Sequence, residues 1–563
     1  MGKKIKKNTK ISSSAHSKNE SSLSFPIPTK NGVILNEKKE AFYASPLYDF
    51  LSPLRPVNHQ WGAEYIIVFF ALIIRCAVGL GSFSGYKDPP MHGDFEAQRH
   101  WLEITTSLPI SKWYYYNLEY WGLDYPPLTA YHSYVLGYLG SLINSSWFNL
   151  DDSRGLETLD LKSYMRFTVI LSEALLYIPG IIYFCKWIGK HTHESPINQY
   201  IAAAAILFQP ALILIDHGHF QYNSVMLGLT VYAINNILDD YYVPAAICFV
   251  LSIGFKQMAL FYSPIFFAFL LRQSLFINFP RFILISVATV LTFFAMFVPL
   301  YVFGGLDNVL QCLHRIFPFQ RGIFEDKVAN FWCVSNIVIK YRELFTLDEL
   351  KMLSLVLTFI GFLPAFVIIL LYPKKHLIPY ALASSSLSFY LFGFQVHEKT
   401  ILLPLLPLSL LYTSSDRNVV SLVSWVNNIA VFSLWPLLKK DGLCLQYFAI
   451  LYLSNWLIGN FSFITPRFFP KWLTPGPSVS DVSVAYRRRS LLPNSLFWKV
   501  FIVLSYIIMG AIHLCDFLLA PPDKYPDLWV LLNSALCFGC FVLVWLWTNY
   551  KLVLLRNKTF KSY

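Results

Sequence analysis

The carboxylate best placed for chemistry is Asp94, in the segment HGDFEAQRHW just beyond the first long apolar stretch. Such a group can take a proton from an acceptor hydroxyl while nearby cations hold a departing phosphate. A single displacement with inversion needs only one such base. Asp94 equally suits the cap of a helix expected to start at Phe95, and the residues alone leave both roles open. Asp124, in WGLDYPP, precedes a Tyr-Pro-Pro turn and reads as a turn former that assists the site. Glu96 and Arg99 lie one helical turn apart, so they could pair with each other or touch a substrate. Cations suited to a phosphate are His314, Arg315 and Arg321 in HRIFPFQRG, with His397 and Lys399 in VHEK. Arginine offers a planar fork of donors and lysine a point charge, although either can also snorkel at a membrane surface. Glu398 is a second carboxylate that, like Asp124, could serve as base if Asp94 is only a cap. His217 and His219 have HxH spacing, but without cysteine or another clear ligand beside them no metal site is expected. His219 stays a candidate for substrate contact.

These residues need elements to hold them, and composition defines the setting. Of 563 residues, 55% are hydrophobic and 14% charged, against roughly a quarter charged in soluble domains. Several stretches reach the ~20 apolar residues that cross a bilayer. The chain therefore reads as an all-α polytopic membrane protein. The formal charge of +12 lies mainly in the N-terminal tail, short loops and the C-terminus. That distribution fits positive-inside orientation and not nucleic-acid binding.

About fourteen spans are expected: roughly 64–80, 163–186, 198–215, 223–238, 242–258, 259–271, 280–304, 352–371, 377–394, 400–413, 418–436, 442–458, 496–519 and 526–549. An even number puts both termini in the cytosol, with Lys439 and Lys440 as the main exception to the charge bias. Residues 1–40 are rich in Lys, Ser and Asn and read as a disordered basic tail, leaving 41–563 as the membrane domain. Residues 81–161 form a long first luminal loop whose aromatics suggest helices lying at the membrane interface, and 128–143 is ambiguous between interfacial and spanning. This topology gathers four polar segments on the luminal side: that loop, 217–223, 312–332 and 395–400. Costly ionisable groups near a membrane tend to mark a site.

Most of the nine cysteines lie in apolar segments as small hydrophobes, Cys537 and Cys540 among them; Cys312 and Cys333 could pair across a luminal segment. Of the Asn-x-Ser/Thr sequons at Asn19, Asn144, Asn460 and Asn557, only Asn144 is expected to be luminal and open to a glycan.

The segments SPLYDFLSPLRPV, GDFEAQRHWLEIT, KWYYYNLEYWGLDYPPLTAYHSY, LIDHGHFQYNSVMLGL, CLHRIFPFQRGIFEDKVANFWC and FQVHEKTILLPLLP resemble the eukaryotic glucosyltransferases of asparagine-linked glycosylation that act on dolichol-linked oligosaccharide. The likeness runs from about residue 41 onward. It implies a GT-C fold in the endoplasmic reticulum membrane, a luminal active site, dolichyl-phosphate-glucose as donor, a dolichol-diphosphate-linked nine-mannose oligosaccharide as acceptor, and no metal or other cofactor. It also implies that Asp94 is the general base and that a β-linked donor gives an α-linked product. The wording of the first loop resembles the branch that adds the first glucose more than the one that adds the second. A polytopic transporter or scramblase would fit the span count, yet no paired internal repeat is found and the polar groups avoid the midplane. A non-catalytic subunit would not need Asp94, His397 and Lys399 on one face.

Overall fold

In hydrocarbon each backbone polar group must be paired within its own segment, so apolar stretches of bilayer length become helices. The computed structural model describes residues 42, 45–54, 60–192, 194–317, 327–460 and 491–559, and among them it is helical with no strand. The tail 1–40, Arg321 and Arg487–Arg489 lie outside the described residues. Among the described residues six helices are long and apolar enough to cross a membrane: Trp61–Gly79, Leu159–Thr192, Phe279–Ile316, Leu347–Leu371, Leu496–Leu518 and Leu528–Leu555. The pair Pro196–Leu207 and Pro210–Phe220, bent by 42°, makes a seventh if it counts as one span.

Other stretches expected to span are shorter helices, such as Asn223–Leu238, Tyr242–Phe255, Ile378–Phe392 and Arg417–Ser433. Every residue of Arg417–Ser433 after Asn418 is buried. A helix sheathed in protein need not match the thickness of lipid, which is why length and hydropathy do not single it out.

The helix Phe279–Ile316 runs for 38 residues and breaks at Gly305, whose φ of 71° suits a residue without Cβ. Its continuation carries the first polar loop. Gln311 Nε2 donates to the Tyr114 carbonyl at 3.0 Å, Tyr115 Oη to the Asp307 carbonyl at 3.1 Å, and Arg315 to the carbonyls of Gly122 and Leu123 at 3.0 and 3.2 Å.

The loop and that helix share a core, in which Trp101, Trp113 and Tyr114 pack with Leu123 of the loop and with Leu300, Cys312 and Ile316 of the helix. Three rings expected at the membrane interface are thus interior, since burying a large ring in that core removes more apolar area from water than resting it at the headgroups. Outward-facing apolar groups lie on the helix Pro127–Ile143, where Tyr134, Val135, Tyr138, Leu139, Leu142 and Ile143 form one exposed stripe. Neither Cys312 with Cys333 nor Cys537 with Cys540 forms a disulfide.

Within the loop, the helix Asp94–Ser107 is pinned by a buried ion network. Arg99 bonds Glu96 and Glu103 at 2.6 Å each, Ser153 Oγ at 2.6 Å and the Trp147 carbonyl at 3.4 Å. His100 Nδ1 lies 3.0 Å from Glu103, whose other oxygen accepts from the Asp151 amide at 2.8 Å. Burial pushes the Glu103 carboxyl up, but His100 and Arg99 hold it down, from 4.5 to about 2. A depressed carboxylate contributes stability above its ordinary value that disappears as pH falls through its native one. Between about pH 5 and 2 the wild type is therefore expected to lose about 3 kcal/mol that Glu103→Gln does not. Thermal midpoints of detergent-solubilised protein against pH check this.

Candidate active site

Asp94 is the first residue of its helix and Gly93 holds the cap position. The Asp94 carboxylate faces side chains from other segments, and all three donors land on Oδ2: His219 Nε2 at 2.8 Å, Gln221 Nε2 at 2.5 Å, and Lys399 Nζ. Among the described residues no hydrogen bond reaches Oδ1. The side chain is 19% exposed. Burial pushes its carboxyl up, yet Lys399 and His219 hold it well below the usual carboxylate range. The Asp94 amide donates to Ser84 Oγ at 3.2 Å, while the Ser84 amide donates to the His219 carbonyl at 3.0 Å.

His219 and Gln221 converge because of the local backbone. The chain from Leu214 to Phe220 forms a π-helical turn, a form concentrated at functional sites. Phe220, which follows His219, has φ of 95°. A non-glycine residue in that region is strained and persists only where surrounding contacts enforce it. Here the Phe220 ring packs edge-on to Phe95 and Tyr222, at 4.9 and 5.6 Å, with the Arg166 guanidinium 5.4 Å away. The turn sends His219 and Gln221 to the same carboxylate. The segment 217–223, expected as a polar luminal stretch, is buried in protein at every residue.

Several groups back this first layer. His219 Nδ1 lies 2.6 Å from Asp441 Oδ2. Lys256, buried, donates to Gln221 Oε1 at 3.2 Å and to Asn223 Oδ1 at 2.7 Å, and its ammonium sits 4.8 Å from the Tyr125 ring centre. It also interacts electrostatically with Asp124. Asn223 and the Ser224 amide in turn bond Asp216 at 2.8 and 2.7 Å. His217 points elsewhere, to Glu173 at 2.5 Å, which also holds Arg75 at 2.6 Å. The two histidines of the HxH thus serve different carboxylates, and the described residues contain no cluster of three or more His, Cys, Asp or Glu that could hold a metal ion.

Among the residues expected from sequence, the structure joins Asp94, His219 and Lys399 directly and brings Asp124 near through Lys256. Glu398 and Lys399 belong to the short helix Glu398–Ile401, with His397 at its N-cap. Arg315 holds main-chain carbonyls next to Asp124, and His314 is exposed on the same helix. Glu96 and Arg99 sit in the network within the loop. Asp441, Lys256 and Gln221 were not singled out by sequence. A lone Lys256 within the apolar run IGFKQMAL is a signal for such a group; KKDGL reads only as an orientation mark, and Gln221 carries no charge.

A carboxylate held on one oxygen by three donors, with a lysine and a histidine beside it among apolar helices, suits transfer of a sugar from a phosphate leaving group. The class this defines is a membrane glycosyltransferase. Residues 71–547 match the ALG6, ALG8 glycosyltransferase family, and the chain belongs to it. It is 64% identical over 539 residues, 95% of this chain and 99% of the relative, to the dolichyl pyrophosphate Man9GlcNAc2 alpha-1,3-glucosyltransferase of Saccharomyces cerevisiae. The probable enzyme of that name from Schizosaccharomyces pombe is 44% identical, covering 91% of this chain and 96% of its own. That of Gallus gallus is 37% identical, covering 85% and 94%.

Lys256→Met strands the Gln221 and Asn223 amide oxygens it holds, each costing roughly 1–3 kcal/mol when buried without a partner. A lower thermal midpoint together with slower transfer is expected, whereas Lys340→Met, on an exposed residue, changes neither.

Proposed function

We propose that the protein transfers the first glucose from dolichyl-phosphate-glucose to the terminal mannose of the dolichol-diphosphate-linked nine-mannose oligosaccharide, forming an alpha-1,3 linkage. The observation that carries this reading is Asp94 Oδ1, left open beside a carboxylate oxygen already held by three donors. The acceptor hydroxyl gives its proton to Oδ1 while its oxygen bonds the anomeric carbon. The bond from that carbon to the phosphate oxygen breaks, and the electron pair leaves on dolichyl phosphate. One base and one displacement invert a β-linked donor into an α-linked product.

Lys399 links base and donor. Its ammonium rests on Asp94 here, and in the donor complex it is drawn toward the phosphate with His397. Asp94 then loses a neighbouring cation and becomes a stronger base at the moment it is needed, as matching of basicity to the proton in transit requires. Arg315 and Arg321 serve the phosphate or the loop that covers it, and Asp124 supports the site through Lys256. Glu96 and Arg99 hold the Asp94 helix.

The fold reading is a GT-C membrane domain of about fourteen spans in the endoplasmic reticulum membrane, with the site luminal and both termini cytosolic. The apolar stripe of Pro127–Ile143 suits a helix resting in the luminal leaflet. Asn144, exposed at its end with Oδ1 bonded by Ser146, is the sequon open to a glycan.

Purified protein given synthetic dolichyl-phosphate-glucose and the nine-mannose lipid-linked acceptor is expected to yield one added glucose. Asp94→Asn is expected to lower kcat by about 10²–10⁴ in protein that still elutes as one folded species. Near-normal turnover in that variant moves the base to Asp124 or Glu398, and an inactive wild type refutes the substrate pair.

A further inference from the structure

His219 lies between two carboxylates, with Asp441 Oδ2 2.6 Å from Nδ1 and Asp94 Oδ2 2.8 Å from Nε2. A neutral imidazole donates from one nitrogen only, so both contacts are attractive at once only when the ring carries two protons. The ring is 2% exposed and the Asp441 side chain 4%, so both groups of this contact are buried.

Asp441 is also held in an unusual position. It caps the C-terminus of the short helix Trp435–Lys440, where the carbonyl ends disfavour an acid. Gly442, with φ of 72°, follows it, the Leu443 amide reaches the Leu438 carbonyl at 2.9 Å, and the Gly442 amide reaches the Lys439 carbonyl at 3.1 Å. This is a Schellman closure, which fixes the direction of the Asp441 side chain. The helix is itself anchored: Lys439 Nζ and Trp435 Nε1 bond Asp516 Oδ2 at 2.9 and 2.8 Å. A carboxylate kept where the helix end opposes it, with a buried histidine as its partner, has a role beyond local stability.

We infer that Asp441 is a positioning residue for the transfer, acting through His219 so that Asp94 presents Oδ1 to the acceptor hydroxyl. This rests on Asp94 being the base. Asp441 fixes the ring and keeps a proton on Nε2; that proton holds Asp94 Oδ2, and Oδ1 is left to receive the acceptor's proton. The other charged groups facing the relay are Lys399, 3.2 Å from His219 Nε2, Arg166, which interacts electrostatically with Asp441, and Lys256 behind Gln221. Arg166 reaches the Gly218 carbonyl at 2.7 Å and the Ser82 carbonyl at 3.0 Å.

The sign of the pH effect follows. Removing the Asp441 charge favours a neutral His219, so Asp94 loses a cation at its side and binds protons more readily. The acid limb of the kcat profile then moves to higher pH.

The test measures kcat, both KM values and the pH profile for wild type, Asp441→Asn, Asp441→Glu, His219→Gln and the Asp441→Asn/His219→Gln double variant, on protein that elutes as one folded species. Asp441→Asn is expected to lower kcat roughly tenfold to a hundredfold, less than loss of a base itself, with both KM values within about twofold and the acid limb raised. Asp441→Glu should recover part of kcat, and the double variant should be no slower than His219→Gln alone, as two groups acting through one contact require. An unshifted acid limb in Asp441→Asn, or losses that add in full in the double variant, overturns the inference. If Asp441→Asn does not fold, the comparison falls to Asp441→Glu, which keeps the charge but displaces the carboxylate: a lowered kcat with the acid limb near that of the wild type is expected, and full activity overturns the inference. Asp94→Asn run alongside separates the cases: its retained activity refutes the base assignment, while its loss beside an unshifted Asp441→Asn profile refutes only the relay.

Discussion

A carboxylate at the edge of a membrane protein must be matched by donors or it takes up a proton, because desolvation penalises its charge. Asp94 meets that constraint with three donors from two distant segments, His219 and Gln221 from one side of the bundle and Lys399 from another. Many local features serve the convergence. Gly93 leaves Asp94 as the first helical residue, the π-turn and strained Phe220 direct His219 and Gln221, and the short helix Glu398–Ile401 carries Lys399. The arrangement is also asymmetric, since crowding on Oδ2 is what leaves Oδ1 available.

Two sets of contacts support this centre. The Glu96–Arg99–Glu103 network fixes the helix Asp94–Ser107, with Arg99 fully buried. Arg315 and Gln311 tie the broken helix Phe279–Ile316 to the first loop. Buried ionic networks of this kind contribute little net stability compared with apolar packing, but breaking one partner is costly, so they favour one arrangement over its alternatives. The scaffold they steady is that of the ALG6, ALG8 glycosyltransferase family.

Much of this was legible in the residues. Asp94, His219 and Lys399 stand out because ionisable groups beside apolar runs are expensive unless they serve a site, and the membrane class follows from composition. Two kinds of feature were not legible. Asp441 and Gln221 gain meaning only from contacts more than a hundred residues away along the chain, and no local pattern records those. Hydropathy gives span length but not what surrounds a helix, so protein-sheathed segments such as Arg417–Ser433 resemble short spans. The aromatics of the first loop divide for a related reason: Trp101, Trp113 and Tyr114 have the amphipathic character of interface residues, yet packing on the helix Phe279–Ile316 buries them, while Tyr115 stays exposed.

The most direct measurement is a structure of the protein with a non-transferable dolichyl-phosphate-glucose analogue and the lipid-linked acceptor bound together. The account predicts Asp94 Oδ1 within about 2.6–3.2 Å of the acceptor hydroxyl that attacks, on the face of the sugar opposite the phosphate, with Lys399 moved from Asp94 to the phosphate. A hydroxyl bonded instead to Asp124 or Glu398, with Asp94 still tied to Lys399 and remote from the sugar, would contradict it.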